Sequence, residues 1–112
     1  MIRQMRFQQE ARREVMAAFA WYEGQQKGLG LGFLLALEAT LERVRRLPQG
    51  HESVGKRTRK ALVRRFPYGV LFAVEPEGIV VTAVFDCRRD RDRWSDRVRE
   101  GDAATASGLL RA

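Results

Sequence analysis

The segment Arg64-Arg65-Phe66-Pro67-Tyr68-Gly69 is the part of this chain best equipped for chemistry. Two guanidinium groups lie beside a phenol, and a planar guanidinium fork binds phosphate or carboxylate bidentately. The segment closes a basic stretch. Between Ser53 and Val74 there are six cations, Lys56, Arg57, Arg59, Lys60, Arg64 and Arg65, and no Asp or Glu. That stretch carries +6 of the formal net charge of +7, so the other ninety residues sum to +1. Charge this localised points to an anionic counterpart, either nucleic acid or an acidic protein. The plain alternative is a solvated basic strand that does no chemistry.

A cluster of arginines could hold RNA or stabilise charge developing on a phosphoryl group. Strand cleavage needs more, a base to activate the attacking oxygen and an acid for the leaving group. The titratable neighbours are Asp86, Tyr68 and His51. Asp86 ends an apolar run, where a carboxylate caps or pairs with Arg. Tyr68 stands at a strand entry, a packing position. His51, the single histidine, falls in the loop-like Pro48-Gln49-Gly50-His51-Glu52-Ser53. Cys87, between Asp86 and Arg88, is expected to have a lowered pKa, but no His lies near it to make a nucleophile. Metal-ligand spacing is absent and no cofactor is implied. The residues therefore lean towards binding rather than catalysis. If the chain is a nuclease, Arg64, Arg65 and Arg89 are the candidate catalytic groups; for binding, the candidates are Arg57, Arg59, Arg64, Arg65, Arg88, Arg89 and Trp94.

The elements that position these groups follow from the pattern of apolar residues. At 112 residues and 45% apolar content, the chain is expected to form one domain with a small core over about 1–98 and a flexible tail over 99–112. No apolar run reaches a bilayer span, and the first residues lack the apolar core of a secretory signal. One cysteine rules out an intrachain disulfide and fits a reducing, cytoplasmic setting. Met1 to Gln8 reads as a short strand. Ala11, Val15, Ala18, Phe19 and Tyr22 form one helical stripe, ending near Gln26 with a cap at Lys27-Gly28. Leu34, Leu37, Leu41 and Val44, with Phe33 beside them, mark a second helix from about Gly30 to Leu47, stopped by Pro48. From Lys60 the period changes to two. Three strands follow, the last two joined at Glu75-Pro76-Glu77-Gly78 and apolar on both faces. Trp94 and Val98, four apart in a charged stretch, suggest a short C-terminal helix or turn. The expected fold is α+β, in the order β-α-α-β-β-β, with a helical hairpin packed on a small antiparallel sheet.

The ordered set Ala11, Trp21-Tyr22-Glu23, Leu29-Gly30, Phe33, Pro48, Arg64-Arg65-Phe66-Pro67-Tyr68, Ala83-Val84-Phe85, Arg89-Asp90 and Trp94 resembles the ParE branch of the RelE/ParE toxins, across roughly residues 9 to 97. These are the toxin halves of type II toxin–antitoxin or plasmid-stabilisation modules. The resemblance implies a basic, growth-inhibiting protein neutralised by a small acidic antitoxin whose disordered segment folds around it, in a homodimer or a heterotetramer with the antitoxin. RelE-like members cleave mRNA on the ribosome; ParE-like members are associated with poisoning DNA gyrase without nuclease chemistry. RelE-like chains commonly carry Arg after the strand-entry Tyr, where this chain has Gly69, and the C-terminal Tyr of some nucleases is matched best by Trp94, which donates no useful proton. ParE-like chains often carry His where this chain has Asp86. Arg89 matches the family Arg beyond the last strand. The resemblance thus implies a gyrase-binding toxin first and a ribosome-dependent endoribonuclease second; the basic stretch by itself leaves a non-catalytic nucleic-acid binder as a further class.

Overall fold

A computed structural model describes residues 4–89 and 94–103 of the chain. The expectations for Met1–Arg3, for Asp90 and for the tail beyond residue 103 lie outside the described residues. The first strand, β1, runs Gln4–Phe7 and leads into helix α1, Gln9–Gln25. Helix α2 spans Leu29–Arg46, and a 3-10 turn at Pro48–Gly50 follows it. The strands β2 (Glu52–Ser53), β3 (Thr58–Leu62), β4 (Tyr68–Glu75) and β5 (Gly78–Asp86) come next. A last helix, α3, occupies residues 94–103. Gly101 is buried within it, so ordered structure continues past residue 98, where the sequence placed the end of the core.

The sheet order is β1-β5-β4-β3-β2. The meander β3-β4-β5 is antiparallel, as expected, with Leu62 opposite Gly69 and Tyr68 opposite Asp86. The N-terminal strand adds a parallel edge against β5, from Gln4 opposite Gly78 to Phe7 opposite Val81, which makes the sheet mixed. Gly78 permits that approach, since a Cβ there would lie 2.3 Å from the Gln4 carbonyl oxygen.

The two helices lie antiparallel because the link between them is short and capped from within. The Glu23 carboxylate accepts the N–H groups of Gly28, at 2.9 Å, and of Gly30, at 3.0 Å. It thereby satisfies donors that a helix start leaves without intrahelical partners, at the end where an anion is favoured. Gly28, at φ 90, takes the left-handed turn that starts α2, rather than closing α1 alone. Gly30 lets α2 press on α1, as a Cβ there would come within 2.8 Å of the Phe19 ring.

The helical hairpin covers one face of the sheet. Ala11, Ala18, Tyr22, Phe33 and Leu37 pack against Val63, Val70, Val81 and Val84, and Val44 packs against Ala61, Phe72 and Ile79. The buried stripe of α2 is Phe33, Leu37, Thr40 and Val44, while Leu34 and Leu41 turn partly aside. The register between β4 and β5 shifts at Leu71/Phe72. This bulge puts Val81 and Val84 on the same face, although their separation in sequence is odd. The opposite face is covered by α3, whose Val98 meets Leu71 and Ala83. Burial on both sides explains why β4 and β5 are apolar at nearly every position.

Candidate functional site

The basic residues separate into two groups. The turn between β3 and β4 and the exit of β5 meet at one end of the sheet, held by Val63 N–H to the Tyr68 carbonyl at 2.9 Å and Cys87 N–H to the Pro67 carbonyl at 2.7 Å. Arg64 and Arg65 on the turn and Arg88 and Arg89 beyond β5 are therefore brought to that end, all four exposed. Arg65 adopts φ 73, left-handed backbone that a non-glycine residue rarely takes. Arg57 and Arg59 lie at the far end of β3. The Arg57 N–H donates to Asp102 at 2.9 Å, and the Arg59 guanidinium donates to the carbonyl of His51 at 2.7 Å and of Gln49 at 3.3 Å. Arg59 thus fastens the loop leading into β2. The basic stretch is continuous in sequence, but strand β3 ends at Leu62, and the turn carries its last two arginines away from the first two.

Asp86 organises the arginine end. Its Oδ1 accepts the Arg88 N–H at 2.9 Å and the Arg88 Nε at 3.3 Å, and its Oδ2 accepts the other arm of that guanidinium at 3.2 Å. Arg89 lies 3.8 Å from the same carboxylate. Burial pushes the Asp86 carboxyl up, but the hydrogen bonds from Arg88 and the charges of Arg88 and Arg89 outweigh it and hold it below the usual carboxylate range. A carboxylate so committed is a poor proton acceptor. Tyr22 and Tyr68 stand beside it, with ring centroids 6.0 Å apart. Burial, joined by the charge of Asp86, raises both phenols above 10.0, so neither is a base at neutral pH. His51 sits beside Arg59 near β2, its ring edge-on to Phe72 at 5.7 Å, and not at the end that carries Arg64, Arg65, Arg88 and Arg89. Among the described residues no group of His, Cys, Asp and Glu could hold a metal ion.

Cys87 differs from expectation. Burial dominates its surroundings and raises the thiol pKa; the Lys60 charge lowers it and the Asp86 charge raises it further, leaving a protonated, half-buried thiol. Trp94 stacks on Phe85 at 5.7 Å, with the Lys60 ammonium 5.2 Å from its ring centroid. Phe85 in turn lies over Gly69, where an added Cβ would stand 2.9 Å from its ring and 3.2 Å from the Cys87 sulfur. An arginine at position 69 has no room while that stack is in place.

A groove of about 660 Å³ runs from this end along β5, between α1 and α3. Trp21, Tyr22, Tyr68, Arg89 and Trp94 border its basic end. At the other end Arg97 ties the walls together, reaching Glu14 at 2.7 Å and Glu10 at 3.2 Å and donating to the Thr82 carbonyl. Glu14 also accepts the Val84 N–H at 3.0 Å, so one carboxylate links α1, β5 and α3.

No family model matches the chain, and no curated protein matches it. The fold is that of a chain in the solved structure of the chromosomal ParDE TA system from P. aeruginosa. The TM-score is 0.67, with 12% identity over 76% of this chain and 96% of that one. At that identity the likeness is one of fold.

Sequence reasoning missed Tyr22 as a neighbour of the arginines, Glu23 as a cap, and the ties through Glu14–Arg97 and Asp102. The Trp21-Tyr22-Glu23 motif offered a signal for the first two. The last two join positions 83 and 44 residues apart, which no local pattern reveals.

Proposed function

We propose that this chain is the toxin of a type II toxin–antitoxin pair, acting by gripping an essential target through Arg64, Arg65, Arg88 and Arg89, and that the target is DNA gyrase. The observation that carries the reading is an exposed four-arginine end whose nearby carboxylate is occupied and whose phenols stay protonated. Such an end binds anions well and has no group suited to activating a hydroxyl. The crowding at Gly69 points the same way, since the position where RelE-like chains carry Arg is filled by Phe85.

The fold shared with a chain of a ParDE TA system supports the module class. A formal charge of +7 supports a small acidic antitoxin as the neutralising partner. An antitoxin segment that folds on binding would set carboxylates against the arginine end.

The reading is tested by inducing the chain in cells alone and together with the reading frames adjacent to its gene. Growth arrest relieved by an acidic neighbour is expected, with mRNA ends unchanged on translating ribosomes. Codon-positioned cuts in mRNA would replace the binding mechanism with ribosome-dependent endoribonuclease chemistry.

A further inference from the structure

The solvent side of the helical hairpin carries an apolar patch flanked by charge. Arg12, Met16 and Ala20 fall on one side of α1 at four-residue steps, all exposed, and Arg13 lies beside them. Leu31, Leu35, Glu38 and Glu42 fall on the corresponding side of α2 at steps of four, three and four. Met16 is 63% exposed, Leu31 57% and Leu35 58%, high values for large apolar side chains sharing one surface. None of them faces the sheet, whose contacts with the hairpin run through Ala11, Ala18, Tyr22, Phe33, Leu37 and Val44.

The hairpin register places these groups. Phe19 meets Gly30, and the helices run antiparallel. Met16 is then level with the span between Leu31 and Leu35, and Arg12 is level with Leu37–Glu38. Arg12, Arg13 and Glu38 make no ion pair among the described residues. Glu42 is shared between Arg45 and Arg46, both at 3.5 Å.

We propose that this face binds a second copy of the chain, through a two-fold axis running along the helices. That rotation sets α1 of one copy over α2 of its partner without reversing direction. Met16 then meets the apolar span of the partner's α2, and Arg12 meets its Glu38, twice over by symmetry. A two-fold axis across the helices would oppose the arginines to the apolar end instead, so the charges select the first arrangement. The face is about 25 Å long and about 20 Å wide, from helix rise and interaxial spacing. It buries on the order of 1,000 Å² in both copies together, the low end for a specific interface, which corresponds to a weak dimer. The arginine ends of both copies point the same way in this dimer, leaving them free to engage a two-fold symmetric partner. The dimer does not depend on the toxin reading.

Sedimentation velocity of the full chain, from about 5 to about 500 µM, tests the proposal. A monomer–dimer equilibrium is expected, weakened about tenfold by raising salt from about 0.05 to about 0.5 M. Leu35→Lys should weaken it at least about tenfold with an unchanged circular dichroism spectrum. Arg12→Glu and Glu38→Arg should each weaken the self-association, and an equimolar mixture of the two should restore a dimer, because opposite charges then meet across the interface. A monomer throughout the range overturns the proposal. So does a dimer indifferent to Leu35→Lys, or a mixture no more associated than its parts.

Discussion

Asp86 holds Arg88 through both backbone and side chain, with Oδ1 accepting the Arg88 N–H at 2.9 Å and Oδ2 accepting its guanidinium at 3.2 Å. The carboxylate thus fixes the chain direction immediately after β5 and decides where Arg88 and Arg89 emerge. Asp86→Asn removes a negative charge from the arginine end while loosening that anchor. The variant should elute from heparin at higher salt than the parent chain, yet arrest growth less efficiently on induction.

Arg89→Ala should reduce growth arrest and leave the fold intact. The side chain is 72% exposed and its ion pair with Asp86 is long, at 3.8 Å, so the variant's melting temperature should stay within about 2 °C of the parent's. Unchanged growth arrest would remove Arg89 from the binding surface.

Gly69→Arg should not create a nuclease. It should destabilise the chain by about 1–3 kcal/mol in urea unfolding, because the new side chain must displace Phe85 from its stack on Trp94. A variant as stable as the parent would show that the stack yields easily.

Acid should loosen α3 in a defined window. Burial pushes the Asp102 carboxyl up, but the Thr58 hydroxyl, at 2.6 Å, and the Arg57 and Lys56 N–H groups hold it below the ordinary 3.8. A carboxyl with a depressed folded-state pKa stabilises fully above the unfolded value, and its contribution is lost as pH falls through the folded one. Asp102→Asn should therefore cost about 1 kcal/mol at pH 7, a figure kept low by solvent access to the carboxylate. The difference from the parent chain should shrink as pH drops below 3.8.

Leu37→Ala should cost about 3 kcal/mol, since Leu37 is only 4% exposed and its loss leaves a cavity under the sheet. Leu41→Ala should cost less, because that side chain only flanks the same cluster. Equal costs in chemical denaturation would contradict the burial order along α2.

These residues also show what the sequence could and could not disclose. The stripe through Ala11, Ala18 and Tyr22 and the apolar period of β4 and β5 arise from burial against neighbours, so they mark helices and strands directly. The register break at Leu71/Phe72 depends on how β5 meets β4, and no single-strand pattern carries it. The arginines were visible one by one. Their grouping was not, because Arg59 alternates in phase with its neighbours yet points at the His51 carbonyl, while the turn at Arg65 redirects the rest. Cys87 was misread for a similar reason. Adjacency to Arg88 suggested a stabilised thiolate, whereas Asp86 takes the Arg88 guanidinium and burial governs the sulfur.

The most direct measurement is supercoiling of relaxed plasmid by purified DNA gyrase in the presence of the purified chain. The parent chain should inhibit the enzyme in a dose-dependent manner. A chain with Arg64, Arg65, Arg88 and Arg89 all replaced by Ala, folded by circular dichroism, should fail to inhibit. Undisturbed supercoiling at saturating parent chain, or equal inhibition by the four-alanine variant, would contradict a target gripped by the arginine end.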